Sequence, residues 1–134
     1  MSAPIEVVIR WIEEDAFEIV EPPQAGKALD GNRKIGLSPM ETLLASLAGC
    51  MGIDVVMILL KMRSQLETLQ IGVRGHRNDD PPRYFNRLEL EFQLRGVLTE
   101  KQAHRAIDLS FEKYCSVFHT LRDDIQIERR VILN

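Results

Sequence analysis

One apolar stretch decides the fold of this chain: SPMETLLASLAGCMGIDVV, which runs from Ser38 to Val56. It opens with the signals of a helix start, because Ser38 can cap the first turn, Pro39 suits the first helical position and Glu41 completes a capping box. Apolar residues then follow on nearly every side, as far as the basic end at residues 61–63. The pattern predicts a long core helix that is buried all round.

A membrane span is the competing interpretation of this helix. Glu41 and Asp54 interrupt the apolar run, and the uncharged residues 42–53 form a stretch shorter than the roughly 20 apolar residues that cross a bilayer. The length therefore favours a core helix in a protein with no membrane partner.

The segments on either side of the helix alternate in polarity as strands do. Residues 5–12 and 16–20 predict an N-terminal hairpin, and residues 69–77 and 84–95 predict a second hairpin that turns at residues 78–82. The glycine- and proline-rich residues 21–37 predict a loop, with one short strand at 27–29.

A second capping box, at Thr99 and Gln102, starts an amphipathic helix that leads to Cys115. Ser116 is the expected cap of a further short helix, and residues 125–133 predict a last strand. The order strand-strand-helix-strand-strand-helix-strand indicates an α+β fold.

Length and composition limit the class of protein. The 134 residues, 45% of them hydrophobic, predict a single domain over residues 1–134 with one core. A net charge of −3 and a pI of about 5.6 argue against a nucleic-acid partner. The two cysteines are too few for a disulfide scaffold, and the N-terminus lacks the pattern of a secretory signal, so we expect a cytoplasmic protein.

A helix that is apolar on all faces is hard to cover in a chain this small. We therefore expect a second copy to cover part of it, which predicts a homodimer. The alternative is that the sheet and the second helix suffice.

Cys50 lies in the middle of the apolar helix, between Gly49 and Gly52. A thiol among apolar neighbours most often packs as a small hydrophobic residue. However, a glycine inside a helix costs about 1 kcal/mol relative to alanine, so these two predict a close approach by another group. Asp54, one turn away, opposes thiolate formation, and an activating cation has to come from Arg10, Arg33 or Lys34.

Cys115 is the second thiol, and the pair suits peroxide reduction. The peroxide oxidises one thiolate to a sulfenic acid, and the other thiol then condenses with this sulfenic acid to form a disulfide. Cys115 and His119 also have the spacing of two metal ligands, but a structural zinc needs four, so a metal site is not expected.

The stretch from Ser38 to Val56 resembles the central helix of the OsmC/Ohr family (osmotically inducible protein C and organic hydroperoxide resistance protein), in particular its OsmC-like branch. Residues 113–121, KYCSVFHTL, resemble the family's second cysteine motif. The resemblance implies antiparallel sheets packed around a long buried central helix, an intertwined homodimer, and thiol-dependent peroxidase activity without metal or organic cofactor. It further implies that Cys50 is the peroxidatic cysteine and Cys115 the resolving one.

Family peroxidases also use a glutamate near the helix start and an arginine from an N-terminal loop. The usual glutamate position, ten residues before the cysteine, holds Met40 here, whereas Glu41 lies nine before it. On a regular helix Glu41 points about 180° away from Cys50, so we expect it to act as a cap unless the helix bends or the dimer brings it across. Arg33 is the best-placed loop arginine, and Arg10 is next.

These observations give a functional hypothesis and an alternative. The hypothesis is an antioxidant peroxidase with organic hydroperoxides as its main substrates and hydrogen peroxide as a second one. Leu47, Met51 and Met57 would form an apolar lining, and an external thiol or dithiol would be the reductant. The alternative is an OsmC-like dimer without catalytic activity that binds a small apolar ligand or partner.

Overall fold

The computed structural model describes residues 3–23, 26 and 28–134. In chain order its elements are β1 (Ile5–Glu13), β2 (Ala16–Glu21), β3 (Ala28–Leu29), β4 (Gly36–Leu37), α1 (Pro39–Lys61), β5 (Gln65–Arg77), β6 (Phe85–Val97), α2 (Glu100–Leu109), α3 (Ser116–Thr120) and β7 (Gln126–Leu133). One π-helical turn, Ser110–Tyr114, lies between α2 and α3.

The main sheet has five strands in the order β2-β1-β5-β6-β7, and α1 packs against it. This confirms the predicted α+β class. The sheet is antiparallel except that β7 pairs in parallel with β6, because the chain crosses over through α2 and α3 before it returns as β7. The expected short strand is β3, whose partner β4 was not predicted; Lys27 lies outside the described residues.

The start of α1 is built as its sequence predicts. The Ser38 hydroxyl accepts a hydrogen bond from the Glu41 backbone N–H at 3.2 Å, and the Glu41 side chain accepts one from the Ser38 N–H at 2.9 Å. This capping box satisfies two N–H groups that a helix start otherwise leaves without partners. It also holds the Glu41 carboxylate inside the protein, where it is fully buried.

One side of α1, here called the core face, lies against β1 and β5. Its buried apolar members are Leu44, Leu47, Ala48, Met51, Val55, Val56 and Leu59. They belong to one core cluster with alternate residues of the strands, such as Val7, Ile71 and Phe92, which are also inaccessible to solvent. The two sets form the core of the domain.

The opposite side of α1 is not covered, so the prediction of a helix buried all round is wrong for a single chain. Leu43, Ser46, Cys50, Ile53, Met57 and Leu60, here called the outer stripe, are half-buried or exposed. Met57 and Leu60 remain 44% and 49% exposed. The reason is geometric: the sheet covers one side of α1, and α2, the π-helical turn and α3 cover only one flank of it.

By length and composition α1 could cross a membrane, a test that core helices of soluble proteins also pass. The mean hydropathy of its most apolar window is 2.3. Its core face nevertheless packs on the sheet in this structure.

Candidate active site at the two cysteines

Cys50 is half-buried on the outer stripe, with different surroundings at its two neighbouring glycines. A Cβ atom on Gly52 would lie 2.7 Å from the Phe17 ring, so this glycine allows a close approach, as predicted. A Cβ atom on Gly49 would meet no described atom within 4 Å. The helix beside Cys50 is therefore packed on one side and open on the other.

Cys115 is fully buried at the start of α3, directly after the π-helical turn. Its own sulfur caps α3, because Sγ accepts a hydrogen bond from the Phe118 backbone N–H at 3.4 Å. The prediction that Ser116 is the cap was wrong: Ser116 is already the first residue of the helix.

The structure brings the two thiols together, although 64 residues separate them in the sequence. The pKa of the Cys115 thiol is raised to about 12, and burial is the largest cause. The hydrogen bond from the Phe118 N–H opposes this rise, whereas the nearby Cys50 side chain and the charge of Asp54 contribute to it. Cys115 consequently keeps its proton at neutral pH, while Cys50 is the thiol that solvent can reach.

Asp54 and Ser110 form a hydrogen bond beside the cysteines. The Ser110 hydroxyl donates to Asp54 Oδ2 at 2.8 Å, and Ser110 is almost completely buried. Burial raises the pKa of the Asp54 carboxyl, which the hydrogen bond from Ser110 partly opposes. Sequence reasoning noted Asp54 but missed Ser110, because no local pattern indicates a contact across 56 positions.

Glu41 and Arg33 lie against each other at the N-terminal end of α1. Arg33 Nε is 3.0 Å from Glu41 Oε2, and the Glu41 side chain is fully buried while that of Arg33 is 54% exposed. The two residues predicted to activate Cys50 therefore form an ion pair. The expected capping role of Glu41 is confirmed.

An aspartate that sequence reasoning did not select shapes the loop that carries Arg33. The Asp30 carboxylate accepts hydrogen bonds from the backbone N–H groups of Asn32, Lys34 and Ile35 at 2.9–3.1 Å, and these bonds lower its pKa. Arg33 has a φ of 59° in this turn. The sequence signal was the Asp-Gly-Asn run, since aspartate commonly bonds to backbone N–H groups just after it.

Within one chain the ion pair is remote from Cys50. Over nine residues a regular helix rises about 13.5 Å and rotates through about two and a half turns, which puts Glu41 and Cys50 on opposite sides of α1. Arg10, the other arginine candidate, pairs instead with Glu18 on the neighbouring strand. The roles of Arg33 and Glu41 in activating Cys50 stay predictions.

His119 is engaged away from Cys115. Its Nε2 atom lies 2.8 Å from the Phe111 carbonyl oxygen, and its ring packs edge-on against Phe118. Across residues 3–23, 26 and 28–134, no three side chains of His, Cys, Asp or Glu are grouped in a way that could hold a metal ion.

An apolar groove of about 400 Å³ runs along the flank of α1 at Gly49. Its lining includes Ile9, Phe17, Ile19, Leu37, Ala45 and Gly49. The expected lining was partly wrong, because Leu47 and Met51 belong to the core face and are inaccessible. Met57 does lie on the outer stripe with Cys50.

The fold and the paired thiols define an α+β protein with two cysteines on adjacent helical segments, and comparison with known proteins places it in a family. The family model described as OsmC-like protein matches residues 30–130. The chain therefore belongs to the OsmC-like family, as the sequence resemblance predicted.

Relatives of known sequence or structure agree with this assignment. Protein YhfA of Escherichia coli K12 is 35% identical over 121 residues, which cover 89% of this chain and 90% of that protein. A hypothetical protein from Aquifex aeolicus is 28% identical, with a TM-score of 0.72 over 100% of this chain and 98% of the other. An organic hydroperoxide resistance protein from Elizabethkingia anophelis, at 16% identity, shares the fold with a TM-score of 0.62 over 89% of this chain and 82% of that one.

Proposed function

We propose that this protein is a cytoplasmic, homodimeric thiol peroxidase that reduces organic hydroperoxides. The observation that carries the proposal is the contact between a half-exposed Cys50 and a buried Cys115 whose pKa is raised. Membership of the OsmC-like family suggests a redox function related to peroxides or oxidative stress, which agrees with this arrangement.

The two thiols differ in the way that a two-step mechanism needs. The Cys50 thiolate attacks the O–O bond of the hydroperoxide, becomes a sulfenic acid and releases an alkoxide that takes up a proton to give the alcohol. The Cys115 sulfur then attacks the sulfenic sulfur, a disulfide forms and water leaves with the Cys115 proton. An external dithiol reduces the disulfide and returns both thiols, so the cycle needs no metal or organic cofactor.

The outer stripe supports the dimer. Its residues recur at alternating spacings of three and four, from Leu43 to Leu60, which is the spacing at which two helices pack along a shared seam. In the proposed dimer the α1 helices of two copies cover each other along this stripe, and Cys50 lies at the edge of the interface.

A charge on the stripe tests the dimer. We expect Met57→Glu to be a monomer in sedimentation experiments, because the added carboxylate would be buried against apolar partners. Val97→Glu, which changes a more exposed apolar residue outside the stripe, should remain dimeric. A wild-type protein that sediments as a monomer would contradict the proposal.

The groove at Gly49 supports a preference for organic substrates, because an alkyl chain is better accommodated by an apolar lining than by water. With a dithiol reductant, the purified protein should turn over cumene or tert-butyl hydroperoxide faster than hydrogen peroxide. Faster turnover of hydrogen peroxide would show that the preference is wrong.

Single cysteine variants test the mechanism. Cys50→Ser should lose peroxide reduction by more than about a hundredfold, since it removes the nucleophile. Cys115→Ser should still form a sulfenic acid at Cys50 but no internal disulfide, as read by mass spectrometry. Ser116→Ala, an exposed change next to Cys115, is the matched control and should behave as wild type.

The groove also favours a second function, in which an OsmC-like dimer binds a small apolar ligand and Cys50 is only packed. The same variants separate the two. Full peroxide reduction by Cys50→Ser, or none by the wild type, would remove the peroxidase proposal, and only the ligand-binding function would then stand.

A further inference from the structure

Ser110 makes two hydrogen bonds that reach both cysteine-bearing segments. Its hydroxyl donates to Asp54 Oδ2 at 2.8 Å, and Asp54 lies one turn beyond Cys50 on α1. Its backbone carbonyl accepts a hydrogen bond from the Cys115 N–H, also at 2.8 Å. One residue thus ties the backbone of Cys115 to the turn of α1 that follows Cys50.

The surroundings make this connection specific. Ser110 is 1% exposed, and a buried hydroxyl without a partner destabilises a protein, so its bond to Asp54 is strongly favoured. The bond from the Cys115 N–H to the Ser110 carbonyl spans five residues and closes the π-helical turn. Such single turns occur frequently at functional sites, because the extra residue shifts the side chains that follow.

We propose that Ser110 and Asp54 are positioning residues that hold the Cys115 sulfur against Cys50. The hydroxyl of Ser110 anchors the π-helical turn on α1, and this turn places Cys115 at the N-cap of α3, facing Cys50. Neither residue takes part in the redox chemistry itself. In the catalytic cycle this assignment rests on the proposed function, since it concerns the step in which Cys115 resolves the sulfenic acid.

The placement can be measured without peroxide. In a buffer of oxidised and reduced dithiothreitol, the Cys50 and Cys115 thiols lose two electrons and two protons to the oxidised reagent, which becomes the dithiol, and the protein disulfide forms. The equilibrium constant reports how closely the two sulfurs are held. A change that only lowered overall stability would leave this ratio unchanged in the folded protein.

We expect Ser110→Ala to reduce this equilibrium constant about tenfold, because misplacement by a fraction of an ångström to one ångström has effects of this size or larger. Asp54→Ala should have a similar effect. Asp54→Asn keeps an oxygen that can accept the Ser110 bond and should stay within about twofold of wild type. Asp108→Asn, which weakens a bond to Arg129 instead, is the matched control.

Each outcome decides the assignment. An unchanged constant in Ser110→Ala, an Asp54→Asn variant as impaired as Asp54→Ala, or a wild type that forms no Cys50–Cys115 disulfide would overturn it. If Ser110→Ala does not fold, the comparison of the two Asp54 variants decides alone. A wild type with the expected constant and no peroxide reduction would remove the proposed function and leave the positioning role intact.

Discussion

The core face and the outer stripe of α1 have similar residue types but opposite surroundings. Leu47 and Met51 on the core face are inaccessible, whereas Met57 and Leu60 on the outer stripe are about half exposed. Apolar composition therefore did not tell which side of the helix the sheet covers. The difference matters for function, because Cys50 lies on the stripe and the structural core lies opposite.

The largest expected effect compares two leucines on these faces. Leu47→Ala should lower the free energy of unfolding by about 3 kcal/mol, since it leaves a cavity in the core. Leu60→Ala should cost less than about 1 kcal/mol in the monomer. Urea denaturation at low protein concentration measures both, and equal losses would break the comparison. At higher concentration the Leu60→Ala loss should grow, as dimerisation adds to stability.

The ion pair at the start of α1 gives the next effect. Arg33→Met should cost about 2 kcal/mol, because it leaves the fully buried Glu41 carboxylate without its cation, although Arg33 itself is half exposed. Arg10→Met removes an exposed pair with Glu18 and should cost less than about 0.5 kcal/mol. Thermal denaturation of the two variants side by side checks this; similar losses would show that Glu41 burial is not important.

The glycines that flank Cys50 predict changes of opposite sign. Gly49→Ala should stabilise the monomer by about 1 kcal/mol, because alanine favours the helix and its Cβ meets no described atom. Gly52→Ala should destabilise it by about 1 kcal/mol, because its Cβ would overlap the Phe17 ring. Chemical denaturation reports the sign directly. A Gly49→Ala variant that is destabilised only when dimeric would locate a close contact with the second copy there.

Asp54→Asn should give the smallest effect and a characteristic pH dependence. Burial raises the pKa of Asp54 above its ordinary value of 3.8, so the folded state holds this proton more tightly than the unfolded state. The wild type therefore loses stability relative to Asp54→Asn as the pH rises above 3.8. Denaturation of both proteins at pH 3 and pH 7 tests this, and a stability difference that stays constant or shifts in favour of the wild type as the pH rises would contradict it.

Most of the fold could be predicted because its signals are local. Each signal lies within about a dozen consecutive residues. The signals are the capping boxes at Ser38 and Thr99 and the alternating polarity of β1, β5 and β6. The short pair β3 and β4 could not be found completely, since two-residue strands form through their partner rather than through a pattern. The π-helical turn was missed because its residues have ordinary helical periodicity.

The candidate site was predictable in its thiols and not in their supports. Cys50 and Cys115 stood out as the only cysteines of the sequence and through the family resemblance. Ser110 did not, because a serine on the buried side of an amphipathic helix has no distinctive signal until its partner on α1 is known. Arg33 and Glu41 were both selected, but their contact with each other was not.

By itself the sequence determined which segments are helices and strands, that one long apolar helix forms the centre, and which two thiols could react. These properties depend on local periodicity, caps and residue chemistry. Only the tertiary structure decided which side of α1 is covered, that Cys115 is the buried thiol, and which side chains hold the pair. Those properties depend on contacts between residues far apart in the chain, such as Asp54 with Ser110, and such contacts exist only once the helices have packed on the sheet.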